Sequence, residues 1–220
     1  MVSAVITAAG KNRRMREDFK ARGMEIRHKL LLDLQGMPVI LRTLKNTMDA
    51  GIADCIVVLG HFSDEITAVI DEMDDERVKI IKNPDNNVEL SESLLNGINR
   101  VESDYCLCVA ADQPTVTTKT LKNLIKGVFE SKDPQNTVSI LARGKTGYLE
   151  SAKGLGVPFA CHKNILIKYL VEKEDNLNPI LREMVADGVI FYGVPSKNDL
   201  ELININTYDD YLKVVDKCNL

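Results

Sequence analysis

One stretch, from Val5 to Lys29, limits what this 220-residue chain can become. It opens VITAAG, continues KNRRM and closes on HKLLL. Ala4 to Thr7 read as a short buried strand, apolar and β-branched at Val5, Ile6 and Thr7. Ala8, Ala9 and Gly10 follow where that strand ends. Side chains this small let a ligand approach the main chain, whose N–H groups can point at an anion. Lys11, Arg13, Arg14 and Arg16 then place four cations in the loop, and His28-Lys29 close it before the apolar run Leu30 to Leu32. A strand, a small-residue turn and converging cations suit a phosphate-rich ligand at the carboxyl end of a sheet. Neither GxxxxGK[ST] nor GxGxxG occurs here, so the P-loop and the dinucleotide fingerprint are both excluded.

The rest of the chain alternates short apolar runs with helical stripes. Pro38 opens a helix to about Ala50, stopped by Gly51. Cys55 to Leu59 is a second buried strand, and Ile66, Val69, Ile70 and Met73 mark a helix before a third strand at Val78 to Ile81. This βαβαβ start predicts an α/β fold: a Rossmann-like three-layer α/β/α arrangement around a mostly parallel mixed sheet. Ser91 is placed to cap a helix carrying Leu94, Leu95 and Ile98. Tyr105 to Ala110 is a central strand that runs into Ala111-Asp112-Gln113-Pro114. An Asp there can hold a divalent cation or cap the next helix, although Thr115 and Thr117 stand nearer that helix start. Thr137 to Leu141 and Val189 to Val194 read as strands, and residues 142–154 as an exposed, mobile Gly- and Lys-rich loop. Pro158 in Gly156-Val157-Pro158-Phe159 predicts an edge strand or a bulge. Helices follow from about Asn164 to Val171 and around Pro179, and Leu202 to Ile205 reads as a short strand before a final helix. Asn204 and Asn206 fall on one face of that strand.

The length suits a single domain, 1–220. A net charge of −4 argues against a broad nucleic-acid surface; the positive charge is concentrated in the first loop. Met1 leads directly into a strand, without a cationic region and apolar core, and no run approaches membrane-spanning length. Cys55, Cys106, Cys108, Cys161 and Cys218 are scattered, with no metal-type CxxC, and read as reduced buried thiols. These features together predict a cytoplasmic protein with no membrane partner.

The pattern AAGxxxRM followed by Lys-Leu, carried by Ala8, Ala9, Gly10, Arg14, Met15 and Lys29, resembles the signature of the nucleotidyltransferases that load molybdenum cofactor with a nucleotide, a branch of the GT-A-type NTP transferases. Arg16 replaces a usual Gly, and the gap before Lys29 is longer than usual. The resemblance continues at Asn83, Ser91, Ser93 and Leu94, which match a cytidylyltransferase segment beside the base and ribose. It extends to Asp112-x-Pro, whose Asp binds magnesium in the family, and to Gly156-x-Pro158, which borders the acceptor pocket. N-x-N-T at Asn204 to Thr207 is similar to the closing motif of the guanylyltransferase branch. Glu174 to Leu177 depart from the usual Gly-Asp-x-Gly.

The resemblance implies a nucleotidyltransferase fold with a nucleotide-binding half at 1–115 and an acceptor-binding half at 116–220. It implies catalytic roles for Arg14, Lys29 and Asp112, and nucleotide contacts from Ala8, Ala9, Gly10, Arg14, Lys29, Asn83, Ser91 and Ser93. Gly156, Pro158 and Asn204 fall to the acceptor, and Asp112 and Asn206 to Mg²⁺. The implied reaction moves NMP from an NTP, CTP favoured, to a phosphorylated acceptor such as molybdopterin. A molybdoenzyme or its chaperone is then a candidate protein partner. Two other readings stay open from the residues: a transferase for another small phosphorylated acceptor, and a non-catalytic nucleotide-binding module. His28, His61 and His162 are scattered and read as structural rather than acid–base groups.

Overall fold

In the first strand, β1 (Val2–Ala8), all seven residues are buried, so both faces of the sheet are covered there. Its side chains alternate: Ala4, Ile6 and Ala8 join one core, and Val5 joins the other. The computed structural model describes residues 1–85, 87–173 and 176–218, with no side chain described at Cys218. After β1 come α1 (Arg13–Ala21), α2 (Val39–Met48), β2 (Cys55–Leu59), α3 (Ser63–Asp71), β3 (Val78–Lys82) and α4 (Leu90–Ile98). Then follow β4 (Tyr105–Ala110), α5 (Thr118–Phe129), β5 (Thr137–Leu141), β6 (Gly147–Leu149) and β7 (Phe159–His162). The chain continues through α6 (Lys163–Leu170), α7 (Leu177–Ala186), β8 (Ile190–Val194) and α8 (Tyr208–Cys218).

The strands form one sheet in the order β3-β2-β1-β4-β7-β5-β8-β6. β1 pairs parallel with β2 and β4, and β2 with β3. β7 is antiparallel to both β4 and β5, and β6 to β8, while β5 and β8 run parallel. The expected mostly parallel mixed sheet is therefore present. One core lies under α1, α2, α3, α5 and α8, and the other under α4, α6 and α7, which makes the three layers. Each fully buried aliphatic or aromatic side chain in these layers stabilises the fold by about 1.5–3 kcal/mol. Helix α4 sits unusually close to the sheet: a Cβ on Gly97 would lie 2.4 Å from Val5 Cγ1 and 2.9 Å from Val58 Cγ2.

Topology positions the site. β1 and β4 end on the same rim, and β7, running the other way, begins there: Cys108 of β4 faces Phe159 of β7. The segment just before Phe159 is thereby delivered beside Asp112.

Several expectations require correction. Arg13, Arg14 and Arg16 lie in a helix rather than a loop, because Met15 and Phe19, four apart, bury beneath α1. Ser91 is not the cap of α4. Glu89 holds that position and Glu92 Oε2 accepts its N–H at 2.9 Å. Ser91 is buried inside the first turn and donates to the Lys173 carbonyl at 2.8 Å. Pro158 precedes an interior strand, not an edge, since β7 itself starts after it, at Phe159. Part of the Gly- and Lys-rich loop, Gly147–Leu149, pairs with β8 as the true edge. The expected strand at Leu202 to Ile205 is a 3₁₀ turn, Asp199–Leu202, followed by irregular chain. The buried Glu201 carboxylate turns inward there and accepts from Thr117 N at 2.9 Å, Thr120 Oγ1 at 2.8 Å and Lys197 N at 2.6 Å. Those bonds pull the segment onto α5 instead of letting it pair with a strand. Glu174 and Asp175 and the Cys218 side chain lie outside the described residues; the other four cysteines are buried free thiols.

Candidate active site

A cavity of about 510 Å³ opens over the ends of β1 and β4. Thr7 to Arg14, His28 to Leu30, Val88 to Leu90, Ser93, Ala110 to Asp112, Val157, Asn176, Asn204 and Asn206 line it. The small-residue turn Ala8-Ala9-Gly10 is part of its lining. A Cβ at Gly60 would sit 3.0 Å from the Ala9 carbonyl oxygen, so the end of β2 presses directly on this turn.

Asn12 connects the two ends of the first segment. It adopts the left-handed conformation (φ 56°) before α1, which Asn tolerates better than most residues. Its Nδ2 donates to the Arg27 carbonyl at 3.1 Å and its Oδ1 accepts from the Lys29 amide at 3.3 Å. The returning strap is thus fixed beside the turn despite its length. His28, 6% exposed, accepts from the Leu30 amide on Nδ1 and packs against Phe62. Burial, with the neighbouring Lys29 charge, pushes its imidazole pKa down to about 4. The imidazole is neutral at neutral pH and its Nδ1 is already used by the backbone. His162 likewise accepts from Asn164 N at 3.2 Å at the start of α6.

At the centre, Lys29 Nζ donates to Asp112 Oδ2 at 2.5 Å and to Asn206 Oδ1 at 3.1 Å. Asp112 Oδ1 accepts from Asn204 Nδ2 at 3.2 Å. Asn204 Oδ1 in turn accepts from Gln113 Nε2 at 3.2 Å and Arg143 Nη2 at 3.4 Å. The main chain of Asp112 is tied by the Ile205 amide, which donates to its carbonyl at 2.9 Å. Thr207 Oγ1 caps α8 by accepting from Asp210 N, and Thr117 Oγ1 caps α5 by accepting from Thr120 N. Neither Asn206 nor Asp112 is therefore needed as a helix cap, and both side chains face the cavity.

The family model for the MobA-like NTP transferase domain matches residues 4–175. The chain belongs to the MobA-like NTP transferases. It is 31% identical over 200 residues to a 2-C-methyl-D-erythritol 4-phosphate cytidylyltransferase from Lachnoclostridium phytofermentans, covering 86% of this chain and 81% of that protein. Among solved structures, a nucleotidyl transferase from Methanothermobacter thermautotroptrophicus superposes with a TM-score of 0.91 at 42% identity, over 99% of this chain and 97% of that one. A 4-diphosphocytidyl-2C-methyl-D-erythritol synthase from Anaerococcus prevotii shares the fold at 17% identity and a TM-score of 0.72, over 100% of this chain and 96% of that one. The three-layer nucleotidyltransferase fold is thereby shown, and with it the reaction class, nucleotidyl transfer.

In this MobA-like chain the sequence-named residues sort by position. Ala8, Ala9, Gly10, Arg14, Lys29, Ser93, Asp112, Asn204 and Asn206 all line the cavity. Asn83 and Ser91 do not. Asn83 sits behind Ser93 and donates to its hydroxyl at 2.9 Å, while Ser91 faces Lys173. Gly156 and Pro158 flank Val157, which does line the cavity. Arg13 and Lys11 line it as well, and Arg16 does not. Sequence reading missed Asn12, Glu89, Gln113 and Arg143. Asn12 carried a weak signal, an Asn at the end of a small-residue turn. Gln113 and Arg143 carried none, since their partners are set by distant chain segments, whereas Glu89 pairs locally with Glu92 in the capping box and its signal was hidden by the better-known cap residue Ser91. Among the described residues no helix is long and apolar enough to cross a membrane.

Proposed function

We propose that this chain transfers a nucleoside monophosphate from CTP to a phosphorylated small-molecule acceptor, with release of pyrophosphate and dependence on magnesium. The observation that carries this reading is the convergence of Lys29, Asp112 and Asn206 beside the turn Ala8-Ala9-Gly10. CTP as donor is supported by the cytidylyltransferase relative. The nucleotide lies over residues contributed by 1–115, between the turn, Ser93 and α4. The acceptor lies against Val157, Asn176 and Asn204, from 116–220.

The triphosphate is met by Lys11, Arg13 and Arg14 at the start of α1, where the helix dipole adds to their charge. Lys29, a flexible point charge, holds the α-phosphate. An ionised acceptor phosphate needs no general base, so the protein's contribution is positioning and charge neutralisation. The neutral His28, with Nδ1 engaged by the backbone, fits that scheme.

Two hard oxygens, Asp112 Oδ2 and Asn206 Oδ1, already converge on one positive charge, and this donor set fits magnesium. Among the described residues no cluster of three or more His, Cys, Asp or Glu could hold a metal alone, so a magnesium ion held by Asp112 and Asn206 would need further oxygen ligands from substrate phosphates and water. Asp112 and Asn206 would hold such an ion, and its charge would offset that of the triphosphate and of departing pyrophosphate.

Two acceptors are favoured by separate observations. The first loop and the closing N-x-N-T support molybdopterin, while the relative at 31% identity supports a polyol phosphate such as 2-C-methyl-D-erythritol 4-phosphate. The test is pyrophosphate release with Mg²⁺ and each of CTP, GTP, ATP and UTP, with either acceptor or none. Release with CTP that requires one acceptor is the expected result. Tight nucleotide binding without release under any condition would leave a transferase for another phosphorylated acceptor or the non-catalytic module, and a screen of other phosphorylated metabolites separates those two.

A further inference from the structure

Lys29 stands at the position assigned to the metal. Its Nζ is the group on which Asp112 Oδ2 and Asn206 Oδ1 converge, and the other Asp112 oxygen is already taken by Asn204. The ammonium and a divalent ion cannot share these two oxygens, because like charges a few ångström apart in a partly buried site repel strongly. The surroundings add to the conflict. Four cations, Lys11, Arg13, Arg14 and Lys29, line the cavity against two carboxylates, Glu89 and Asp112. A free divalent cation therefore meets a positive cavity, and a triphosphate reverses that sign.

We infer that Lys29 is the resident counter-ion of the metal site and that the divalent ion enters only together with the triphosphate. Arrival of the phosphates draws the ammonium off Asp112 and Asn206 and exposes their oxygens in the same event. The main chain does not have to move: the Lys29 amide stays bonded to Asn12, and only the four-carbon side chain swings. Metal and nucleotide then bind with positive coupling, and the site carries no idle metal. This rests on the reading of a nucleoside triphosphate as donor.

The test titrates Mn²⁺, as a spectroscopic stand-in for Mg²⁺, into the wild-type chain and reads free ion by electron paramagnetic resonance. It is done with and without α,β-methylene-CTP, which cannot transfer its nucleotide. Wild type with the analogue bound is expected to hold Mn²⁺ at least about tenfold more tightly than either the chain alone or the analogue alone. Lys29→Met is expected to bind Mn²⁺ without nucleotide at least about tenfold more tightly than wild type, and adding Asp112→Asn should remove that gain. Lys29→Gln, which keeps an N–H donor but no charge, should show the same gain and guards against misfolding of the first variant. Equal Mn²⁺ affinity of wild type and both Lys29 variants overturns the inference, as does wild-type affinity with bound analogue no tighter than that of the chain alone or the analogue alone. If the analogue does not bind at all, the donor reading fails, and the Lys29 variants alone still decide the counter-ion role.

Discussion

Gln113 holds Asn204 in a single orientation. Its Nε2 donates to Asn204 Oδ1 at 3.2 Å and to the Val157 carbonyl at 3.1 Å, with the Gln113 side chain almost wholly buried. An amide whose oxygen is claimed in this way must present its Nδ2 to Asp112, as observed. The segment at Val157, the closing motif at Asn204 and the central carboxylate are thus joined through two side chains, Gln113 and Asn204.

Replacing that donor tests the arrangement. Gln113→Glu would place a carboxylate oxygen against two acceptor oxygens, so Asn204 loses its fixed orientation. Transfer is expected to fall by about 10–100-fold, as for other residues that orient a site from behind. Stability should drop by about 1–3 kcal/mol in urea titration. A variant with wild-type rate and stability would show that the orientation of Asn204 is immaterial.

Asp112→Ala removes the carboxylate on which Lys29 and Asn204 converge while leaving the strand it follows intact. The side chain is 14% exposed and, among the described residues, bonded to Lys29 and Asn204, so the fold should survive. The transfer rate is expected to fall by about 10²–10³-fold or more, measured by pyrophosphate release. Turnover at the wild-type rate would rule out Asp112 as a metal-holding group.

His28 gives a pH dependence of stability with a definite sign. Its folded pKa, about 4, lies below the unfolded value of 6.5, so the unfolded chain binds the proton more tightly. Stability is full above the unfolded pKa and is lost as pH falls from about 6.5 toward 4. Between about pH 7.5 and pH 5, wild type should lose about 2 kcal/mol more than His28→Asn, whose side chain can still accept the Leu30 N–H. Parallel urea unfolding of both proteins at the two pH values checks this; identical pH slopes would contradict it.

The approach of α4 to the sheet makes Gly97→Ala a packing test. The added methyl must displace Val5 or Val58, both fully buried on strands β1 and β2. A loss of about 1–3 kcal/mol is expected from denaturant unfolding. Because β1 leads into the Ala8–Gly10 turn, nucleotide affinity should weaken as well, read by titration with α,β-methylene-CTP.

Much of this molecule was legible in the chain. Strands such as Cys55–Leu59 and Tyr105–Ala110 were found because an apolar run of that length has few other fates. The turn Ala8-Ala9-Gly10, Lys29 and Asp112 were found because small residues and charges at strand ends are chemically conspicuous. The helix Arg13–Ala21 was missed because its four cations hide a narrow stripe, Met15 and Phe19, which helix and loop satisfy equally until a core exists to receive it. Ser91 looked like a cap since Ser favours that role, yet two glutamates closed a capping box instead.

Local sequence determined the elements, their alternation and the residue types that reach the rim, because periodicity and side-chain chemistry act over a few residues. Only the tertiary structure decided which of those residues meet. Lys29 and Asp112 are separated by 83 positions, and Lys29 and Asn206 by 177. No short-range pattern encodes such distances. Their convergence follows from parallel β1 and β4 ending on one rim, from Asn12 fastening the strap, and from Glu201 anchoring the closing segment to α5.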